Sequence, residues 1–147
     1  MDKIKALAVK LYNEYGTADP FFLCEQLDIS VFKSAIPRRT NGLYYHIRDK
    51  RVILINDSLA PQKQRFTAAH ELGHALLHPD SNSFFIKSST AFEMGKFERQ
   101  ADRFAVCLLI QPLKERTDFP EMSVDKISCI TGIDRRLLER LFEQKGL

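Results

Sequence analysis

The stretch TAAHELGHALLHPD, residues 67–80, contains three histidines spaced four residues apart and a glutamate directly after the first of them. On a helix that turns about 100° per residue, His70, His74 and His78 lie within about 80° of one another, with Glu71 on their flank. The apolar and small residues fall on the other side: Phe66, Ala69, Leu72, Gly73, Leu76 and Leu77. The stretch therefore predicts an amphipathic helix on which one stripe packs against a core and the next stripe carries chemistry.

Residues 70–74 have the order H-E-x-x-H, which on a helix places the three side chains where a catalytic metal site needs them. Two histidines four residues apart project side by side, so both imidazoles can bind one metal ion. Glu71 lies beside them, where it can reach a water molecule on that ion without being a ligand. A five-residue match also arises by chance, and a helical histidine is usually only a hydrogen-bonded side chain, so the neighbouring sequence must support a metal site.

His78 lies on the same stripe, one turn after His74. In the last turn of the helix, directly before Pro79, it fits a C-terminal cap or a side chain that hydrogen-bonds a ligating histidine. We expect this supporting role, with direct metal ligation by His78 as the alternative.

A second helical pattern follows over residues 93–110 and is expected to end before Pro112. Glu98 and Asp102 lie four residues apart on it. Because a catalytic zinc site has three protein ligands and one open position, Glu98 is the candidate third ligand. Asp102, one turn on, is placed to accept a hydrogen bond from a ligating imidazole. The adjoining apolar stripe consists of Phe97, Ala101, Phe104, Ala105 and Leu108.

The residues before the histidine helix predict two helices followed by three strands. Gly16 ends the first helix, and Asp19-Pro20 opens the second as cap and first-turn proline. β-Branched runs then predict the strands, the last two forming a hairpin around Asp49-Lys50. The expected elements are helices over 3–15 and 19–27, and strands over 29–36, 42–48 and 51–56. The fold class is therefore α+β, with a small three-stranded antiparallel sheet.

The remaining boundaries come from prolines and turn residues. We expect the histidine helix to open at Pro61, with Ser58 as its cap, and to end at Pro79. A Ser-rich loop should follow over 80–92. The stretch SVDKISCITGIDRRLLERLFEQ, residues 123–144, predicts two helices around a Thr-Gly turn, which form a helix-turn-helix-like pair.

Composition restricts the class of protein. The chain has 147 residues, of which 44% are hydrophobic and 28% charged, and a net charge of +3, which is typical of a globular domain. The apolar run 104–110 is far shorter than the roughly 20 residues that cross a membrane. The N-terminal residues lack a signal-peptide core, and three cysteines without a Cys-x-x-Cys pair argue against a disulfide framework. We therefore expect a cytoplasmic protein with no membrane partner.

Two segments, RFTAAHELGHALLH (65–78) and FERQADRFAVCLL (97–109), resemble the ImmA/IrrE family of bacterial and phage metallopeptidases. The resemblance covers roughly residues 4–112 and implies a zincin-like helical core, of the gluzincin type, against which the sheet packs. It implies a metallopeptidase domain over 1–116, with a C-terminal helical extension over 117–147 packed on it. It also implies a zinc endopeptidase that cleaves a helix-turn-helix transcriptional repressor and so relieves repression of a prophage, a mobile element or stress genes.

The functional residues of the family carry over onto this chain one by one. His70 and His74 match the histidine ligands, and Glu98 matches the carboxylate ligand. Glu71 matches the general base, and the position of Asp102 is Asp or Asn in the family. One zinc ion per chain is expected, although such a ligand set also accepts Mn²⁺ or Fe²⁺. The chain departs from the family pattern in LLIQP, which has an extra residue before the proline; this concerns the end of the helix and not the chemistry.

The motif and the resemblance together give an expected mechanism. Zinc acidifies a water molecule and polarises the scissile carbonyl. Glu71 takes the proton of the water and later transfers it to the leaving amine. The substrate is expected to bind as an extended strand beside an edge of the sheet. A donor to the tetrahedral oxyanion is also needed, and the candidates are His78, Tyr44, Tyr45 and His46.

Two other functions are compatible with the sequence. One is a DNA-binding regulator, because residues 123–144 have helix-turn-helix form, with Arg135, Arg136 and Arg140 on the second helix. Acidic residues interleave with these arginines and leave no clean basic face, so recognition of protein is favoured over direct binding of DNA. The other is a metal-stabilised antirepressor that sequesters a repressor without cutting it. Glu71 argues against it, because a glutamate has no structural task on that face of the helix.

Overall fold

The computed structural model describes residues 2–37, 40–80, 91–144 and 147, so most of the loop predicted over 80–92 lies outside the described residues. The described chain forms seven α-helices and three strands, which confirms the α+β class. In chain order they are α1 (Lys3–Tyr15), α2 (Pro20–Gln26), β1 (Ile29–Ser34), β2 (Gly42–Ile47), β3 (Lys50–Asn56), α3 (Pro61–Leu77), α4 (Ala91–Leu109), α5 (Gln111–Lys114), α6 (Val124–Thr131) and α7 (Arg135–Glu143).

The three strands form one mixed sheet in the order β1-β3-β2. β2 and β3 form the predicted antiparallel hairpin, but β1 runs parallel to β3, with Ile29 opposite Arg51, so the prediction of an all-antiparallel sheet is wrong. The chain reverses direction twice between β1 and β3, which makes these two strands parallel. β3 takes the central position because it carries the most apolar run, in which Ile53 and Ile55 are fully buried.

The turn of the hairpin lies one residue earlier than predicted. Ile47 pairs with Lys50, so residues 48–49 form the turn. The first of these two residues has a left-handed φ of 57°, as a tight two-residue hairpin turn requires. Burial fixes this register, since it places Tyr44 opposite Ile53 and both side chains are buried.

The first two helices begin and end as the sequence predicts. Asp2 caps α1, because its carboxylate accepts a hydrogen bond of 2.8 Å from the backbone N–H of Ile4. Gly16 ends the helix with a φ of 70°. Asp19 caps α2 in the same way, directly before Pro20. Both helices then pack on the two long helices, α1 against α4 and α2 against α3.

α3 begins at Pro61, as predicted, but Ser58 does not cap it. The residue at the cap is Ala60, and the hydroxyl of Ser58 instead donates a hydrogen bond of 2.8 Å to Oδ1 of Asn56. Asn56 is buried, and its amide nitrogen also donates to the carbonyl oxygen of Thr40 at 3.1 Å. Its side chain therefore ties the segment before β2 to the end of β3, and Ser58 is engaged there.

α3 and α4 approach each other closely at Gly73. A Cβ atom at this position would lie 3.0 Å from Cδ1 of Phe104 and 3.2 Å from Cα of Ala101. The two helices can therefore cross at this distance only because residue 73 has no side chain. α4 begins two residues before the predicted start at 93 and ends at Leu109, ahead of the short helix α5.

The C-terminal helices pack on the same core. Gly132 ends α6 with a φ of 76°, and a Cβ atom there would lie 2.6 Å from the carbonyl oxygen of Gln62 in the first turn of α3. The leucines of α7 are buried: Leu137, Leu138 and Leu141. They belong to one hydrophobic cluster with the buried residues of α3 and α4, so the C-terminal helices are part of the main core.

Two further predictions concern the chain as a whole. The described helices include none that is long and apolar enough to span a membrane. The boundary between 1–116 and 117–147 stays a prediction, since the hydrophobic cluster contains residues from both segments.

Candidate metal centre

α3 and α4 bring the three predicted ligands together at one point. Nε2 of His70 lies 3.0 Å from Oε2 of Glu98, and Nε2 of His74 lies 2.9 Å from Oε1 of the same carboxylate. The two Nε2 atoms are 3.2 Å apart. Among the residues that the structure describes, these three side chains form the one cluster that could hold a metal ion.

The donor atoms and their spacing fit a divalent ion. Zinc bound tetrahedrally at about 2.0–2.1 Å has ligand atoms about 3.3 Å apart, close to the separations of 2.9 to 3.2 Å found here. Two imidazoles and one carboxylate also leave a fourth position for water or substrate. The same donors suit Mn²⁺ and Fe²⁺, so they favour a divalent ion without selecting zinc.

Asp102 holds the imidazole of His70 from the other side. Its Oδ1 lies 2.8 Å from Nδ1 of His70, as predicted for a carboxylate that orients a ligand. Burial lowers the pKa of His70, but the carboxylates of Asp102 and Glu98 outweigh burial and raise this pKa to about 10. Burial raises the pKa of Glu98, but the hydrogen bonds and charges of His70 and His74 outweigh burial and lower this pKa. A metal ion therefore has to displace a proton from His70 when it binds.

His78 ends α3 and lies behind His74, away from the point where the three ligand atoms converge. Its Nδ1 is 3.3 Å from Nδ1 of His74, and its Nε2 is 2.6 Å from Oε1 of Gln100. The ring of Phe97 lies against it, with 4.2 Å between the ring centroids. Burial lowers the pKa of His78, so the neutral form is favoured.

Sequence reasoning missed the two α4 residues that hold His78. Phe97 and Gln100 are three residues apart and share one face of α4, so the spacing was available in the sequence. Nothing in the sequence indicated this role, because a phenylalanine within an apolar stripe indicates core and a helical glutamine indicates surface. Their role becomes visible only when the end of α3 is placed over them.

Glu71 lies beside the ligands and is buried, with 7% of its surface exposed. Burial raises the pKa of its carboxyl group, and the nearby His70 and His74 act in the opposite direction. A raised pKa brings a carboxylate nearer to the range in which it accepts protons efficiently at neutral pH. This environment is the one that the predicted role as general base requires.

Sequence reasoning also missed Gly42, the first residue of β2. A Cβ atom there would lie 2.6 Å from Cγ2 of Thr67 and 3.3 Å from Cγ of Glu71. Because β2 is an edge strand, its backbone passes directly beside the candidate base at the border of the sheet. In the sequence this glycine indicates only a turn before a strand.

Two of the candidate oxyanion donors on β2, Tyr44 and His46, lie near the residues that follow α3. Tyr44 is buried, and its hydroxyl donates a hydrogen bond of 2.9 Å to the carbonyl oxygen of Pro79. A hydroxyl has a single proton, so Tyr44 anchors the chain after α3. Nδ1 of His46 lies 3.9 Å from Oδ1 of Asp80, an exposed side chain. The oxyanion donor stays unassigned.

Residues 24–126 match the model of the family described as the IrrE N-terminal-like domain, Peptidase M78. The matched segment includes α3 and α4, and with them every residue of the candidate centre. The chain belongs to this family. The resemblance inferred from the two helical motifs is thereby confirmed.

Similar proteins carry related names. Uncharacterized immunity region protein 2 of Bacillus phage phi105 is 33% identical over 146 residues, which are 97% of this chain and 92% of the phage protein. Metallopeptidase ImmA of Bacillus subtilis (strain 168) is 33% identical over 109 residues, 73% of this chain and 63% of ImmA. Radiation response metalloprotease IrrE of Deinococcus radiodurans is 53% identical over 34 residues, 23% of this chain and 10% of IrrE. The match to ImmA thus spans just under two thirds of that protein, and the names indicate a metallopeptidase of the ImmA/IrrE type.

Proposed function

We propose that this protein is a zinc-dependent endopeptidase that cleaves a helix-turn-helix transcriptional repressor and so relieves repression of a prophage, a mobile element or stress genes. The observation that carries the proposal is the buried carboxyl group of Glu71 directly beside the ligand cluster. A binding protein needs the three ligands, but it has no use for a buried acid next to them. The immunity-region name of the phage relative supports a repressor as the substrate.

The roles of the residues follow from their positions. Zinc, when bound to His70, His74 and Glu98, would act as a Lewis acid that polarises a carbonyl and acidifies water. Glu71 accepts a proton from the attacking water and transfers it to the leaving amine. Asp102 fixes the ring of His70 through Nδ1, so that Nε2 stays directed at Glu98.

The substrate chain binds along β2 in this proposal. β2 lies at one border of the sheet, so its outer main-chain groups can pair with an extended peptide. The backbone at Gly42 lies beside Glu71, which would place a scissile bond within reach of the base. Edge pairing binds a main chain without selecting side chains, so selection of the repressor requires a second contact.

We infer that the C-terminal helices supply that contact, and that they recognise protein and not DNA. In this proposal, α6 and α7 form a helix-turn-helix-like pair. The core against which they pack is a zincin-type core. The guanidinium of Arg135 lies 2.9 Å from Glu139 and 3.1 Å from Asp125. Its charge is therefore balanced locally, which disfavours a phosphate backbone as the partner.

The substitution Glu71→Gln tests the proposal. Glutamine has the same size and can hydrogen-bond water, but it is not a base at neutral pH. We expect it to keep the fold, the metal and partner binding, and to lower turnover by about 10²–10⁴-fold. The assay incubates the zinc-loaded protein with the helix-turn-helix repressor encoded nearest to it and detects fragments by mass spectrometry. His74→Ala is the control that also loses the metal.

The same variant separates cleavage from sequestration. In cells, Glu71→Gln should associate with the repressor while repression persists. If Glu71→Gln relieves repression as well as the parent does, the protein acts as an antirepressor that sequesters its partner, and proteolysis is not its mechanism.

A further inference from the structure

His78 is hydrogen-bonded through both ring nitrogens, and this determines where its proton lies. Its Nε2 is 2.6 Å from Oε1 of Gln100, and its Nδ1 is 3.3 Å from Nδ1 of His74. An amide oxygen only accepts hydrogen bonds, so Nε2 of His78 donates to Gln100. A neutral imidazole has one N–H, so Nδ1 of His78 is an acceptor, and Nδ1 of His74 donates to it.

The tautomer of His74 follows from that chain of hydrogen bonds. In the metal-bound protein, a proton on Nδ1 of His74 leaves the lone pair of Nε2 for the ion. Without the ion, the same Nε2 lies 2.9 Å from the carboxylate of Glu98, which only accepts. The tautomer with the proton on Nδ1 is the one that a ligand binding through Nε2 must have. Gln100 thus determines a property of His74 although it lies on another helix and reaches it only through His78.

The surroundings hold the ring of His78 in place. His74 and His78 are both buried, so water does not replace either hydrogen bond freely. Phe97 packs against one face of the ring. At the backbone, the N–H of His78 donates to the carbonyl oxygen of His74 at 2.8 Å. The next residue, Pro79, accepts the hydrogen bond from the Tyr44 hydroxyl.

The two histidines of the centre therefore have partners of different charge. His70 is oriented by a carboxylate, Asp102, at 2.8 Å. We propose that Gln100 and His78 form a neutral hydrogen-bond relay that sets the tautomer and orientation of His74, which makes Gln100 a positioning residue of the metal centre. The proposal rests on the metal centre of the proposed function, but it does not depend on proteolysis.

Gln100→Leu removes the acceptor at nearly constant volume. We expect it to weaken zinc binding by about 10–100-fold, measured by competition with a chromophoric chelator, because loss of a partner that orients a ligand typically has this effect. Gln100→Glu should keep the affinity of the parent, because a carboxylate also only accepts. Gln144→Leu makes the same chemical change at the exposed residue directly after α7 and should leave affinity unchanged.

A second pair of variants tests the middle of the relay. His78→Asn retains an acceptor oxygen close to the position of Nδ1, whereas His78→Leu does not. We expect zinc affinity to be largely kept by the asparagine and lost by the leucine to about the same extent as in Gln100→Leu. Equal loss in both would mean that ring packing, and not the hydrogen bond, is what His74 requires.

Nitrogen-15 chemical shifts of the histidine rings give a readout that a merely structural role would not change. In the zinc-loaded parent we expect the proton on Nε2 of His78 and on Nδ1 of His74. Gln100→Leu should convert His78 to a mixture of tautomers while the melting temperature stays close to that of the parent. A proton on Nδ1 of His78 in the parent, or unchanged shifts and zinc affinity in Gln100→Leu, would overturn the relay.

Failure of the relay and failure of the proposed function give different results. Zinc affinity and ring shifts are measured without substrate, so an inactive protein with an intact relay contradicts only the proteolytic function. Conversely, a parent that cleaves a repressor while Gln100→Leu binds zinc normally contradicts only the relay.

Discussion

The pair α3 and α4 and the pair α6 and α7 both carry charged or ionisable side chains four residues apart, yet the structure uses them differently. On α3 and α4, His70, His74 and Glu98 come from two helices and converge within hydrogen-bonding distance. On α7, Arg135 and Glu139 are one turn apart on a single exposed helix face and pair with each other at 2.9 Å. The same spacing thus produces a cluster in one place and a surface ion pair in the other.

Spacing does not distinguish the two regions, because it is the same in both. α3 buries His74 and Glu71 and faces a second helix that supplies Glu98, whose side chain is still 55% exposed, whereas Arg135 and Glu139 share one helix in contact with water. Exposed pairs such as Arg135–Glu139 contribute little to stability, because water and salt screen them, and they tolerate replacement. Burying the carboxyl group of Glu71 beside other ionisable groups is unfavourable. Buried ionisable groups of this kind are found mainly at functional sites, where the chemistry needs their shifted pKa values. The ligand pair also needs a facing helix at a fixed distance, which Gly73 provides.

The largest expected effect is loss of the metal. His74→Ala leaves one imidazole and one carboxylate, which do not hold a divalent ion against water. We expect about one ion per chain in the parent and none in the variant, as measured by elemental analysis of the purified proteins. Arg135→Ala is the matched control from the other region and should retain the ion. If His74→Ala kept the full amount of metal, His74 would not be a ligand, and the contrast between α3–α4 and α6–α7 would fail.

A second effect is expected where the two long helices cross. Gly73→Ala places a Cβ atom 3.2 Å from Cα and from the carbonyl oxygen of Ala101, which are backbone atoms that cannot move aside alone. Such overpacking costs about 1–3 kcal/mol, more than the gain of about 1 kcal/mol from helix propensity. We expect a lower free energy of unfolding in urea and weaker zinc binding, because Glu98 moves away from the histidines.

Gly95→Ala is the matched control on α4. A Cβ atom there would meet only Nη1 of Arg99, the far end of a flexible side chain, at 3.1 Å. The helix-propensity gain is then unopposed, and the variant should be up to about 1 kcal/mol more stable than the parent. Equal destabilisation by both substitutions would show that the close crossing at Gly73 has no special role.

A third effect concerns pH and Glu71. Burial raises its pKa above the ordinary 4.5, so between 4.5 and the folded-state value the native protein binds more protons than the unfolded chain, and stability falls as pH rises. Glu71→Gln removes this cost. In metal-free protein kept in chelator, the variant should therefore gain stability relative to the parent as pH rises from about 5 to about 8. Urea unfolding of both proteins across this range measures the difference, and a constant difference would contradict it.

Much of the centre could be predicted because its residues are local in sequence. His70, Glu71 and His74 lie within five residues, and Glu98 and Asp102 repeat the helical spacing on the next helix. The helical period alone determines which of them share a face. What it does not determine is how the two helices are oriented relative to each other, so the convergence on one point needed the structure.

The parts that could not be predicted depend on contacts between distant segments. The parallel pairing of β1 with β3 reflects a competition among strands for the central position, which no single strand reveals. Serine is a common capping residue, but the hydroxyl of Ser58 donates its hydrogen bond to the buried Asn56 instead of capping α3. Gly42 and Gln100 matter only because the middle of α3 lies against the first and the end of α3 against the second.

The smallest effect is expected on the exposed face of α7. Arg135 pairs with Glu139 and Asp125, and all three side chains are exposed, so water and salt screen the pairs. Arg135→Ala together with Arg136→Ala should leave the melting temperature and the zinc occupancy close to those of the parent. The leucines on the buried face keep the helix in place, which makes these point substitutions cleaner than deletion of the C-terminal helices.

If α6 and α7 bind protein, the double variant should weaken association with the repressor in a pull-down. Tight, salt-sensitive binding of the parent to one particular DNA duplex, lost in the double variant, would instead make this region a DNA-reading surface and reverse its place in the comparison.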